Sequence, residues 1–166
     1  NLYDYQKKYS NNLSVFVPIE KDQKKNNYDY GAYTNISQTF NKFDKMTFFL
    51  KQLKIIKKIE SLYHIKDIDL VHAHSLFTNG YAAMKIKKKY DKPYVVAVRN
   101  TDLNVFFKKI FFLRRVGLNI LLNAEKIVYL SNAYRDEVLE KYIPKNFKSE
   151  IIQKSIVVPN GINDYW

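Results

Sequence analysis

The side chains best suited to chemistry fall in four short polar segments. The first, residues 72–80, reads His-Ala-His-Ser-Leu-Phe-Thr-Asn-Gly. His72 and His74 are two apart, so on an extended chain they share a face. Such a pair can ligate zinc, but a site needs further ligands. The chain has no cysteine and one other histidine, His64, so no metal is expected. The pair also suits a hydrogen-bonded strand end. A third reading has His74 and Ser75 bind a ligand's hydroxyls. Asn79 and Gly80 then open a helix whose free N–H groups would meet an anion. Gly80 equally suits a close approach of two backbones.

The second segment, Arg99-Asn100-Thr101-Asp102-Leu103-Asn104, places five polar side chains in six residues. Thr101 or Asp102 can serve as a helix cap. A cap does not account for Arg99, whose cation at a strand tip suits a phosphate or carboxylate. The third, Ser131-Asn132, reads fully as an N-cap. The fourth, Pro159-Asn160-Gly161-Ile162-Asn163, is a turn signal. The chain contains no G-x-G-x-x-G, no P-loop and no G-x-S-x-G, so dinucleotide, P-loop and nucleophile-elbow readings lose their main support.

These segments need a scaffold, and the apolar pattern supplies one. Residues 13–19 (LSVFVPI) read as a strand, residues 21–27 as a polar loop, and residues 28–35 as a short strand or irregular stretch. Residues 44–64 read as a helix with Asp44 as N-cap. Its apolar stripe is Met46, Phe49, Leu53, Ile56, Ile59 and Tyr63, and Lys51, Lys54, Lys57 and Lys58 lie opposite. Four strands follow at 68–73, 94–98, 127–130 and 156–158, with helices at 79–90 and 132–142 and a largely helical stretch at 103–123. Strands rich in Val and Ile, without polar alternation, suit a parallel sheet covered on both faces. The expected fold is therefore one Rossmann-like, doubly wound α/β domain over residues 1–166, with a mainly parallel sheet and helices on both faces. In such sheets ligands sit beyond the carboxyl ends of the strands, where all four polar segments fall.

Composition narrows the function. The 166 residues carry a net charge of +12, with 24 Lys among 28 basic residues. Compositional drift, an anionic membrane surface and nucleic acid are the three readings of that balance. No nucleic-acid module is recognisable, so nucleic acid is not an expected partner. Without cysteine there are no disulfides, which is compatible with a reducing compartment. Residues 1–10 lack the apolar core of a secretory leader, and no window of about 18 uncharged apolar residues spans a bilayer.

Taken in order, D-I-D-L-V-H-A-H-S-L-F-T-N-G-Y-A-A, P-Y-V-V-A-V-R-N-T-D-L-N, A-E-K-I-V-Y-L-S-N-A-Y and K-S-I-V-V-P-N-G-I-N resemble the N-terminal domain of the family 4 retaining glycosyltransferases, which have the GT-B fold. The resemblance covers roughly residues 67–166. It implies a two-domain enzyme whose N-terminal domain holds the acceptor. A C-terminal domain would hold a UDP- or GDP-sugar through a basic pair and a Glu-x7-Glu motif. Anomeric configuration would be retained, with no metal required and no cofactor in residues 1–166. Those residues alone are expected to be inactive.

On this reading Arg99 and Asp102 are the catalytic candidates. His74, Ser75, Asn79, Gly80, Asn100, Thr101 and Ser131 would line the acceptor site, and Asn160 and Gly161 the hinge. Many members of the family have His-Gly-x-Asp where this chain has Arg99-Asn100-Thr101-Asp102, so Arg99 replaces an active-site histidine. Residues 13–19 match the family's second strand better than its first. The implied partners are a sugar or lipid-linked acceptor, the C-terminal donor domain and, through residues 44–64 or 105–122, an anionic membrane. The implied location is cytoplasmic, peripheral at the inner face of the cell membrane. The implied setting is cell-surface polysaccharide synthesis. The alternative is a non-catalytic α/β binding module, or a subunit partnering a separate donor-binding protein.

Overall fold

The structure, a computed structural model, describes residues 7, 12–23 and 30–159. The chain forms two compact units, residues 1–63 and 64–166.

In the first unit, β1 (Val15–Glu20) and β2 (Thr34–Phe40) pair in parallel, from Val15 opposite Thr34 to Ile19 opposite Gln38. β1 lies where the apolar run predicts it. β2 corrects the reading of residues 28–35, of which 28 and 29 lie outside the described residues. The strand begins at Thr34 and runs to Phe40, and polar Ser37 and Thr39 at its buried positions hide it from the apolar pattern. The Thr39 hydroxyl donates to the Ser37 carbonyl at 2.9 Å, so burial leaves no lost bond.

A 3-10 turn, Lys42–Met46, precedes α1 (Phe48–Leu62). The N-cap assigned to Asp44 is therefore corrected: Asp44 sits in the turn. Its carboxylate accepts from the Asn41 N–H and from Lys54 Nζ, both at 2.7 Å. The Lys54 hydrogen bond and that N–H hold its carboxyl below the usual range. The expected apolar stripe is also corrected. α1 buries Gln52 and Ile55, packing on β2, and leaves Leu53 48% exposed, while Met46 of the stripe falls in the preceding turn and is 85% exposed. A polar residue at the centre of the buried face displaces the hydrophobic period from the packed one.

The second unit is a four-stranded parallel sheet in the order β3 (Val71–Ala73), β4 (Tyr94–Val98), β5 (Lys126–Tyr129), β6 (Ser155–Val157). Val71 pairs with Tyr94, Val95 with Lys126 and Ile127 with Ser155. Helices α2 (Gly80–Tyr90), α3 (Arg114–Asn123), α4 (Asn132–Lys141) and α5 (Lys145–Lys154) flank it. Val96, Val98, Ile127, Ile120 and Ile151 are fully buried at its core. The protein is thus Rossmann-like α/β, with parallel sheets flanked by helices.

Two features of the helices go beyond the sequence reading. Residues 103–123 are largely helical, as expected, but in successive pieces of different pitch. A π-helical turn (Asp102–Phe107) gives way at Ile110 to a 3-10 turn (Phe111–Leu113), and only then does α3 begin. Arg114 Nε donates to the Phe107 carbonyl at 2.7 Å, satisfying an acceptor freed near the break. α5 has no counterpart in the sequence reading. It starts after Pro144 and buries only Ile151, too few apolar positions to show a period. Among the described residues no helix is long and apolar enough to cross a membrane.

Candidate functional site

Because β3 to β6 are parallel and adjacent, their carboxyl ends share one edge of the sheet. The polar segments after β3 and β4 are tied together there by one side chain. Asp102 is 1% exposed. One carboxylate oxygen accepts from the backbone N–H of Leu76 and of Arg99, each at 2.9 Å. The other accepts from the N–H of Phe77 at 3.0 Å. Burial pushes its carboxyl pKa up, while the three N–H donors and the Arg99 charge oppose that rise. The three N–H donors favour the carboxylate over the acid. The bond to Arg99 is the backward half of a capping box, made by the third residue of the helical run.

A second tie runs the other way. Arg99 Nε donates to the His74 carbonyl at 3.0 Å. Apolar packing completes the junction, since Phe77 is fully buried, stacked on Phe106 at 4.6 Å and edge-on to Phe107 at 5.2 Å. The His72 and His74 rings lie 4.2 Å apart, tilted by 30°. Burial, then the His72 and Arg99 charges, pushes His74 down to about 4. Desolvation and Arg99 lower His72 as well. At neutral pH His74 is therefore an uncharged ring, able to donate at one nitrogen and accept at the other.

The other predicted residues divide. Ser75 Oγ donates to Asn79 Oδ1 at 2.7 Å and also pairs with Thr78 Oγ1, so these side chains brace the turn before α2. The Gly80 N–H donates to the Ser75 carbonyl at 2.9 Å and is not a free anion donor. A methyl group on Gly80 would lie 2.9 Å from Ile120 Cγ2 and 3.1 Å from Val96 Cγ2, so close backbone approach explains the glycine. Asn100 and Thr101 are exposed, Asn100 Oδ1 accepting from Asn104 Nδ2. Ser131 Oγ accepts from the Tyr134 N–H at 3.2 Å and caps α4. Asn160 and Gly161 lie outside the described residues. Among the described residues no three His, Asp or Glu gather as metal ligands.

The sequence reading missed the N–H groups of Leu76 and Phe77. They belong to apolar residues, and no side-chain type announces a backbone donor. The only available signal was an acidic residue at the third position of a helix that follows a strand.

Comparison with known proteins fits this geometry. The sequence model of Glycosyltransferase Family 4 matches residues 4–165. An uncharacterized glycosyltransferase of Methanocaldococcus jannaschii is 24% identical over 143 residues, a match taking in 82% of this chain and 36% of the relative. The chain spans about a third of the length of the curated relative it matches. With the family match running almost end to end over a parallel α/β scaffold, the chain belongs to Glycosyltransferase Family 4.

Proposed function

We propose that this chain is the acceptor-binding part of a glycosyltransferase. The enzyme transfers sugar from a UDP- or GDP-sugar to a glycan or lipid-linked acceptor, with retention and without a metal. The observation that carries the reading is the Asp102 bracket, which holds the loops after β3 and β4 against each other. It brings the neutral ring of His74 and the guanidinium of Arg99 to one edge of the sheet. A neutral imidazole suits a sugar hydroxyl. The Arg99 cation suits developing negative charge or a phosphate on the acceptor. Exposed Asn100 and Thr101 add polar contacts. Asp102 is assigned as a positioning residue rather than one that touches substrate. Asn160 and Gly161, outside the described residues, are assigned to the link with a donor-binding domain on the family resemblance alone. The name of the archaeal relative supports transferase chemistry. The setting is cell-surface polysaccharide assembly at the cytoplasmic face of the membrane.

The full-length protein, assayed for acceptor-dependent UDP or GDP release over a panel of nucleotide sugars, tests this. Arg99→Ala and His74→Ala should each lower kcat/KM by about 10- to 100-fold, as loss of one charged or well-placed hydrogen bond does. Wild-type turnover in both variants would remove these residues from the site. Saturable release by residues 1–166 alone would refute the need for a donor domain.

A further inference from the structure

Within residues 1–63 lies a second feature that acceptor binding does not use. An open cavity of about 350 Å³ is lined by Lys21, Gln38, Thr39, Lys54, Lys57, Lys58 and Ser61. Lys54, Lys57, Lys58 and Ser61 recur along α1 at the i, i+3, i+4 and i+7 positions, so they form one face of the helix. Lys21 arrives from the end of β1, and Gln38 and Thr39 from β2. Four lysine side chains, from α1 and from the end of β1, therefore border one open depression.

Asp44 offsets two of them in part: it takes Lys54 at 2.7 Å and lies within reach of the Lys21 charge, and it is itself occupied by the Asn41 N–H. Glu20 and Glu60 do not line the cavity. No ion pair joins Lys57 or Lys58 to a described residue. The neutral donors are engaged inside the protein. Ser61 Oγ donates to the Lys58 carbonyl at 2.8 Å, and Thr39 Oγ1 to the Ser37 carbonyl. Like charges three and four apart on a helix repel, and a concave surface of one sign concentrates its field. A bound anion relieves both. Ammonium groups with several free N–H bonds match phosphate oxygens as point charges, without the planar fork that selects carboxylates.

The geometry points to a binding site for a phosphate-bearing anion on this lysine wall, held by Lys21, Lys57 and Lys58 with Lys54 shared with Asp44. Two sources carry that chemistry, a soluble phosphorylated compound and an anionic lipid headgroup. Two probes separate them: inorganic pyrophosphate by titration calorimetry, and phosphatidylcholine vesicles with or without about a quarter phosphatidylglycerol by co-sedimentation.

The full-length protein is compared with Lys57→Glu/Lys58→Glu. A control, Lys88→Glu/Lys89→Glu, makes the same charge change on the exposed end of α2. Saturable pyrophosphate binding weakened at least about tenfold by the first variant and not by the control supports a soluble ligand. Phosphatidylglycerol-dependent sedimentation lost in the same pattern supports a headgroup. No binding of either probe, or equal loss in both variants, overturns the site, the latter by showing only an effect of net charge. Circular dichroism on each variant checks folding. Sugar-transfer kinetics with a phosphate-free acceptor separate this site from the acceptor reading, since the lysine variant should keep them.

Discussion

The carboxylate of Asp102, at the start of the helical run after β4, accepts the backbone N–H of Leu76, 26 residues earlier in the chain. A single buried side chain thus fixes the spacing between two strand-end loops that the backbone alone leaves independent. The consequence is energetic as well as geometric, because a loop anchored by buried charge-assisted bonds loses them together.

Asp102→Ala leaves three backbone donors at a buried position without their partner. Each orphaned donor costs about 1–3 kcal/mol. Partial relaxation and water entry keep the total below the sum, so a loss of roughly 3–5 kcal/mol in urea unfolding is expected. Asp102→Asn keeps one acceptor oxygen but turns an amide N–H2 toward N–H donors, and should recover less than half. A loss under about 1 kcal/mol would show that the loops hold their positions without the carboxylate.

The stability of the protein should fall on mild acidification, with His74 as a main cause. In the unfolded chain a histidine takes its proton near 6.5, but folded His74 only near 4. Between those values the unfolded state binds more protons, so stability declines as pH drops. The contribution is fully present above 6.5 and gone below about 4. His72 is lowered too and acts in the same direction. Glu125 and Glu137, lowered from 4.5, act only at still lower pH. Unfolding free energies measured between 4.5 and 6.5 should therefore slope less in His74→Gln than in the parent. An unchanged slope sinks the assignment.

What the sequence showed and concealed follows from where apolar residues do the burying. β4 and β5 were legible because Val96, Val98 and Ile127 point into a sheet packed on both sides. The strand-end loops were legible for the same reason, as polar clusters directly after such runs. β2 was hidden because Ser37 and Thr39 occupy its buried positions, and α5 because Ile151 is its one buried residue. The face of α1 was misread because polar Gln52 lies on the packed face while Leu53 of the apolar stripe is exposed. At the site, Arg99, His74 and Asp102 stood out by type. Their joining through backbone N–H and C=O groups did not, since every residue carries those groups.

Gly80→Ala tests whether this glycine serves packing. The added methyl group would meet Ile120 and Val96, side chains anchored in α3 and β4 with little room to move. Overpacking of this kind costs about 1–3 kcal/mol, against a gain below about 1 kcal/mol from reduced freedom of the unfolded chain. A net drop in thermal stability is expected. A variant as stable as the parent would return Gly80 to the list of positions kept open for a ligand.

The last prediction separates the two jobs given to Arg99, charge and tether. Its cation lowers His74 alongside burial and His72, while its Nε–H holds the His74 carbonyl. In Arg99→Ala both go. The His74 ring should titrate higher, seen in the imidazole proton shifts, and acceptor-dependent turnover should fall. In Arg99→Lys the positive charge stays near the rings, so the His74 titration should remain close to the parent's. An ammonium on a flexible stem does not reproduce the directed Nε–H of a guanidinium. Turnover of the lysine variant should therefore remain depressed, in kcat more than in KM if the tether orients the loop for the reaction rather than adding affinity. Full activity in Arg99→Lys would assign the residue to electrostatics alone. An unmoved His74 titration in Arg99→Ala would place its guanidinium too far from the ring to matter.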